Sequence, residues 1–359
     1  MTASPGYLVF LIRMNEPHRA SQLQRLSAFG EKKELDLLDL AEKSLTTIQD
    51  KYFRENGSAE GYRLRQAKSQ GRTLFIQVNK GPHSVGGEAY ETTTGASVDV
   101  PTTTAMLNRM RCMLAIPKDS YYGLLFAERQ GNRNLKEIIR GQALLPNAVF
   151  NNMTIHVDAF AESKDWQRLL KDQQALSLTE HLEIVDTTAD GSTARTPIKL
   201  VAEGPRVNRI TNGVVGAITS RVQRREVILD RMSAAADLEE KKVAQKSAFS
   251  VADQTELARQ KKAIQDLRKS PELADEIRDQ LRDAVPVHVD GSVHHKRFEV
   301  VTGQDRPERT FSVDRNSLPQ FVYETSGVLS DAALFKTWVA HAEGILRARG
   351  VKIPVDWAS

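Results

Sequence analysis

The residues best suited to metal chemistry are histidines and aspartates in the last quarter of the chain. His288, Asp290, His294 and His295 lie close together, and imidazole and carboxylate groups are the usual ligands of zinc and similar ions. His294 and His295 are adjacent in a predicted strand, so their side chains would point to opposite faces. The pattern therefore favours surface residues, and the sequence predicts no metal site and no cofactor.

A second His-Asp pair, His156 and Asp158, has the same spacing as His288 and Asp290. Strand alternation would place both members of each pair on one side of a strand. A divergent metal-dependent nuclease or hydrolase could use these four residues if the fold brought them into one pocket. Because the chain has neither a phosphate-binding glycine loop nor a nucleophile elbow, a non-enzymatic role is the leading expectation.

The only cysteine, Cys112, lies in the largely apolar segment 110–116. Apolar surroundings raise the pKa of a thiol and suppress its reactivity, so Cys112 is predicted to be a core residue and not a nucleophile. A single cysteine cannot form an internal disulfide, which favours a reducing compartment such as the cytoplasm.

Basic side chains form three clusters. The first follows a predicted β-hairpin with strands over residues 62–67 and 72–79, where Tyr62 and Phe75 lie between the basic positions. The second follows a predicted strand over residues 121–129, and the third forms one stripe near the start of a long helical region. The candidate nucleic-acid contacts are Arg63, Arg65, Lys68, Arg72, Arg129, Arg133, Arg221, Arg224 and Arg225.

Arginine suits phosphate recognition because its planar guanidinium donates two parallel hydrogen bonds, and several cations on one face add a salt-dependent attraction. The predicted function is therefore non-enzymatic nucleic-acid binding through backbone phosphates, with DNA as the preferred partner over RNA. Phage defence or a mobile element is the suggested setting. An oligomeric protein-interaction or regulatory protein is the alternative, because charged helix faces are also ordinary solvated surface.

The elements that must position these residues favour an α+β fold. Residues 1–204 are predicted to form a lobe with a mostly antiparallel sheet, because strands joined by short polar turns outnumber helices. Residues 205–284 are predicted to form a charged helical arm or subdomain, through which the chain is expected to form a homo-oligomer. Residues 285–359 are predicted to form a hairpin followed by a helix, which packs on that hairpin or back on the first lobe.

Individual elements follow from apolar periodicity. The apolar and aromatic run over residues 6–13 predicts a strand buried on both faces. Spacings of three and four over residues 31–55, with Tyr52 on the apolar face, predict a helix. Residues 149–160 are predicted to form a strand. The last helix is predicted to begin at Ser330 and Asp331 and to end at Gly350.

The composition is that of a folded globular protein, with 40% apolar residues, 27% charged residues and a formal net charge of +4. The longest apolar runs are far shorter than the roughly 20 residues of a membrane-spanning helix. The N-terminal residues lack the pattern of a secretory signal. The expectation is a cytoplasmic protein with no membrane partner.

Overall fold

The computed structural model describes residues 5–17, 22–30, 32–54, 60–82, 87–90, 93, 97–101, 104–131, 133–171, 175–187, 193–203, 205–244, 249–269, 292–302, 309–314, 320–325 and 327–358. The chain forms two compact units. The first comprises Met1–Asp158 with Val322–Ser359, and the second comprises Ala159–Phe321. The boundaries predicted at residues 204 and 284 both fall within the second unit, and the three-part division stays a prediction.

Among the described residues, the first unit has more strands than helices, and the second unit contains a further four strands. The strands are β1 (Gly6–Asn15), β2 (Leu23–Gln24), β3 (Tyr52–Arg54), β4 (Glu60–Gln70), β5 (Thr73–Pro82), β6 (Gly87–Tyr90), β7 (Ser97–Val100), β8 (Asn108–Ala115), β9 (Gly123–Arg129), β10 (Thr154–Phe160), β11 (Ala175–Thr187), β12 (Thr193–Glu203), β13 (Ser292–Thr302), β14 (Arg309–Asp314) and β15 (Tyr323–Glu324). The predicted β4–β5 hairpin is confirmed by its antiparallel register.

Helices complete both units, and the predicted α+β class is confirmed. They are α1 (Leu37–Thr47), α2 (Lys136–Ile139), α3 (Leu145–Phe150), α4 (Ser163–Lys171), α5 (Pro205–Ala244), α6 (Val251–Arg268) and α7 (Asp331–Ala348), with a π-helical turn (Arg140–Leu144) between α2 and α3. No described helix combines the length and hydropathy that a bilayer-spanning segment requires.

The large sheet of the first unit has the strand order β10-β1-β9-β8-β5-β4-β3, and β2 and β15 also pair with β1. Every residue of β1 except Arg13 is buried. The prediction of a central strand over residues 6–13 is therefore confirmed. β3 is the last strand of this order and therefore forms one edge of the sheet.

The helix predicted over residues 31–55 is wrong at both ends. It begins only after Asp36, whose side chain accepts a hydrogen bond from the Leu38 amide (2.9 Å). It ends at Thr47 because residues 46–48 are β-branched, which lowers helix propensity. Asp50 then takes a left-handed conformation (φ 62°) and donates its amide to the Leu64 carbonyl (2.8 Å). As a result, Tyr52 lies in strand β3 and not on a helix.

One further prediction needs correction, and one strand was not predicted. Residues 149–160 do not form one strand, because α3 continues to Phe150 and β10 begins at Thr154. Asn152 makes the turn between them in a left-handed conformation (φ 54°). The sequence reasoning also missed β8, which pairs with β5 and β9 in the interior of the sheet.

The terminal helix α7 is confirmed at both ends. The Ser330 hydroxyl accepts a hydrogen bond from the Ala333 amide (3.3 Å), and Gly350 follows the helix in a left-handed conformation (φ 73°). Trp338 lies against Tyr7 and Phe126, with ring centroids 6.0 and 6.1 Å apart. The helix α7 therefore packs on the large sheet of the first unit.

The second unit contains a four-stranded antiparallel sheet with the order β12-β11-β13-β14, together with α4, α5 and α6. The C-terminal half of α5 pairs with α6 through ion pairs such as Lys241 with Asp253 (2.8 Å) and Lys261 with Glu239 (2.5 Å). Ser250 caps α6 in a reciprocal capping box with Asp253. This pair of helices accounts for much of the charged region predicted to be helical.

Candidate nucleic-acid interface

The large sheet of the first unit is covered to different extents on its two faces. The face that carries Leu74 and Ile76 is buried, and α1 packs on it. The opposite face carries α7, whose Phe335 and Trp338 rings lie 5.8 and 6.3 Å from the Phe75 ring. Beyond α7, strands β3 and β4 keep exposed side chains on that face.

This exposed part, which we call the open sheet surface, consists of Tyr52, Arg54, Arg63, Arg65, Lys68, Asn79 and Arg109. The register aligns four of its members in a row across four strands. Tyr52 opposes Arg63 across β3 and β4. Asn79 opposes Arg63 on one side and Arg109 on the other. Directly opposed residues share a face, with Cβ atoms about 5 Å apart, so the row forms one continuous patch.

Two arginines of the patch share one carboxylate. A β-bulge at Arg65 interrupts the pairing of β4 with β5, yet Arg63 and Arg65 both reach Asp50 Oδ1, at 3.3 and 3.0 Å. Their side chains remain 42% and 45% exposed. Arg63 and Arg65 therefore lie together, and among the described residues Asp50 supplies one negative charge for their two positive charges.

Arg109 lies at the other end of the row, where α7 begins. Its side chain is 53% exposed and pairs with Asp331, the first residue of α7. Asp331 also accepts hydrogen bonds from Arg111 (3.1 Å) and Gln77 (2.7 Å). Because Arg111 also pairs with Glu128, these two arginines and two carboxylates balance in charge, and Arg109 contributes an exposed guanidinium to the patch.

Arg111 itself is a buried structural cation. Its guanidinium donates two hydrogen bonds to Glu128 (2.6 and 3.0 Å) and one to the Leu329 carbonyl (2.7 Å). Hydrogen bonding to Glu128 raises the pKa of the Arg111 guanidinium above its ordinary value. Arg111 also lines a cleft of about 550 Å³ at the start of α7. The ion-pair network thus fixes α7 beside the open sheet surface.

The two aromatic residues expected between the basic positions are not available for binding. Tyr62 is buried, stacks on Phe53 (5.4 Å) and accepts a hydrogen bond from Gln142 (2.7 Å). Phe75 lies beneath Phe335 of α7. Tyr52, 47% exposed, is the aromatic side chain that the open sheet surface presents.

Arg72, a predicted contact, has a structural role. It donates two hydrogen bonds to Asp36 (2.8 and 3.2 Å) and one to the Ile116 carbonyl (2.9 Å). Asp36 is the N-cap of α1, so Arg72 ties the hairpin turn to the start of that helix. Three of its five N–H donors are committed to these partners, and Arg72 is not part of the open sheet surface.

The second basic cluster also lies elsewhere. Arg129 donates to the Gly131 carbonyl (2.6 Å) within the turn after β9. Arg133 pairs with Glu60 (2.5 Å), a carboxylate that also binds Lys80 (3.2 Å). Strand alternation places Arg129 on the face opposite to Glu128. Neither arginine joins the row that contains Arg63.

The third cluster belongs to the second unit. Arg221, Arg224 and Arg225 lie on α5 at spacings that place them on one stripe, as predicted. All three are half-buried, and Arg225 donates to the Ala159 carbonyl (2.8 Å). These arginines remain candidate contacts of the second unit alone.

The residues of the hydrolase alternative are only partly described. His156 contacts Asn15 (2.8 Å) and Asp158 pairs with Arg13 (3.3 Å), so both have polar partners within the first unit. His288 and Asp290 lie outside the described residues. For His294 and His295, the structure describes only that both residues lie in β13.

Cys112 is buried, and desolvation raises the pKa of its thiol far above the ordinary value. The prediction of a core thiol is confirmed. Since thiolate is the nucleophilic form, this environment suppresses reactivity.

Sequence reasoning missed four members of the open sheet surface, among them Asn79, which ends a predicted strand but was not singled out as a contact. Tyr52 and Arg54 fell within the predicted helix, and Arg109 fell within the strand that went unrecognised. The alternation of Arg109 and Arg111 with Met110 and Cys112 is the signal that could have revealed β8.

Comparison of the chain with protein-family models, curated proteins and solved structures finds no match in any of the three.

Proposed function

We propose that the protein binds nucleic acid non-enzymatically, through contacts between the open sheet surface and backbone phosphates. The observation that carries the proposal is the charge of this surface. Arg54, Arg63, Arg65, Lys68 and Arg109 are exposed or half-exposed on one face. Among the residues that the structure describes, their acidic partners are two carboxylates, Asp50 and Asp331.

An excess of cations on one face suits a polyanion for two reasons. Each phosphate that a cation neutralises releases condensed counterions, which makes binding favourable and salt-dependent. Guanidinium groups also donate paired hydrogen bonds to phosphate oxygens. Such contacts position the ligand and carry no sequence information, so we expect weak sequence preference.

The first test removes three cations from one strand. We expect Arg63→Ala, Arg65→Ala and Lys68→Ala together to weaken binding at least tenfold, and to reduce the slope of log affinity against log salt by about 2. Fluorescence anisotropy of labelled DNA and RNA, single-stranded and duplex, at several salt concentrations measures both quantities.

The matched control also removes three positive charges, but from the second unit: one from α5, one from α6 and one from the C-cap residue of α6. Lys242→Ala, Lys262→Ala and Lys269→Ala change three exposed lysines of the second unit. This control should bind nearly as the parent protein does. Equal losses of affinity in both triple variants would show that binding depends on the net charge of the protein and not on the open sheet surface. No binding by the parent protein at low salt would refute the proposal.

A second test removes the shared carboxylate. Asp50→Asn should strengthen nucleic-acid binding by about three- to tenfold at low salt, because two guanidinium groups lose their intramolecular partner. Asparagine tolerates the left-handed conformation of this position, and exposed ion pairs contribute under about 1 kcal/mol to stability. Anisotropy at low and moderate salt measures the change.

The control for that variant is Asp266→Asn, which removes one exposed carboxylate from α6. It should leave the affinity within about twofold of the parent value. An affinity for Asp50→Asn at or below that of the parent protein would contradict the assignment of Arg63 and Arg65 as phosphate contacts. Preference for DNA, oligomerisation through the helical region, cytoplasmic location and a role in phage defence remain further proposals.

A further inference from the structure

The exposed aromatic residue of the open sheet surface is held in a defined place. Tyr52 lies on the edge strand β3, directly opposite Arg63. Its hydroxyl and ring edge lie over Gly61, where a β-carbon would come within 2.0 Å of Oη. Because Gly61 has no side chain, the tyrosine ring can lie close against the backbone of β4.

Phe53, the next residue in β3, fixes the face of the sheet on which the Tyr52 side chain lies. Phe53 points to the other face and stacks on Tyr62, with ring centroids 5.4 Å apart and an interplanar angle of 16°. Since successive side chains of a strand alternate, this stack holds Tyr52 on the open side. The ring is therefore supported from below and 47% exposed to solvent.

Cations stand on both sides of the ring. Arg63 is its cross-strand neighbour, and Arg54 lies two residues along the same strand and so on the same face. An aromatic ring flanked by cations provides the two groups that hold an unpaired nucleotide, a stacking surface for the base and donors for the phosphate. Bases of a duplex are already stacked on one another and do not offer their faces.

From this geometry we infer that the ligand of the open sheet surface is single-stranded nucleic acid, and that Tyr52 stacks on one unpaired base. The inference rests on the proposed function and specifies its ligand. The row of Tyr52, Arg63, Asn79 and Arg109 runs across the strands. A single strand that follows this row places one base on Tyr52 and its phosphates along the arginines.

The experiment compares Tyr52→Ala and Tyr52→Phe with the parent protein. Anisotropy is measured with a labelled 15-nucleotide single strand, with the duplex of the same sequence, and with a single strand of abasic sites. The parent protein should bind the single strand at least tenfold more tightly than the duplex. Tyr52→Ala should weaken single-strand binding by about five- to a hundredfold, and Tyr52→Phe by less than about twofold.

The abasic strand separates stacking from a general loss of structure. It keeps the phosphates and lacks the bases, so the parent protein and Tyr52→Ala should bind it equally. Equal affinity of the parent protein for single strand and duplex, with no loss in Tyr52→Ala, would overturn the inference and leave phosphate binding intact. A similar loss on the abasic strand would also overturn it. Absence of binding to every probe would refute the inference together with the proposed function.

Discussion

Replacing Glu128 with alanine is expected to lower the free energy of unfolding of the first unit by about 3–5 kcal/mol. Glu128 accepts hydrogen bonds from the guanidinium of Arg111 and from its backbone amide (3.0 Å). The Arg111 side chain is only 8% exposed. Removing this partner leaves a buried charge with Asp331 as its remaining carboxylate, and desolvation of that charge is then poorly compensated.

Urea denaturation followed by fluorescence measures the loss, and hydrogen exchange of β8 and β9 assigns it to the first unit. Glu137→Ala is the matched control, since that carboxylate is 67% exposed and pairs with Lys136 and Arg140. It should cost under about 1 kcal/mol. A double variant, Arg111→Met with Glu128→Leu, should be more stable than Glu128→Ala because it removes the buried charge itself. Equal effects of Glu128→Ala and Glu137→Ala would contradict this account.

The second large effect is expected at Trp338, which is fully buried between α7 and the sheet. Trp338→Ala should lower the free energy of unfolding by about 3–5 kcal/mol through lost burial and the cavity that remains. The ring contacts Tyr7, Phe75 and Phe126 on three different strands. Its loss should therefore loosen α7 as a whole.

Hydrogen exchange over residues 331–348 measures this loosening directly. Trp338→Phe should show a smaller effect, since an aromatic ring still fills part of the space. Lys336→Ala, an exposed change on the same helix, should leave exchange unchanged. Undiminished protection of α7 in Trp338→Ala would show that other contacts hold the helix.

Buried elements with one clear periodicity could be predicted from the sequence. The apolar run of β1 and the capped, amphipathic α7 each carry a strong local signal that agrees with the final packing. The prediction of a helix over residues 31–55 was wrong because the spacing of apolar residues does not show where the chain turns back. Asp50, with its left-handed backbone, ends the helical region and starts an edge strand with Tyr52.

The candidate site was predictable in part for a related reason. Arg63, Arg65 and Lys68 share a hairpin strand, so local spacing sufficed to group them. Arg72 and Arg133 resemble them in sequence, but their partners Asp36 and Glu60 are distant in the chain. A sequence does not show which arginines find such partners. Only strand register brings Arg109, from β8, beside Asn79 and Arg63.

The short edge strand β3 has a consequence for self-association. A sheet edge exposes unpaired backbone groups that can recruit a strand from another copy of the chain. β3 spans only Tyr52–Arg54, and both Lys51 before it and Arg54 at its end are exposed. The positive charges of Lys51 and Arg54 repel the same edge of a second molecule. The three residues of β3 are also too few for a long ladder of hydrogen bonds with another strand. The features that leave Tyr52 accessible thus also protect the sheet from edge-to-edge aggregation.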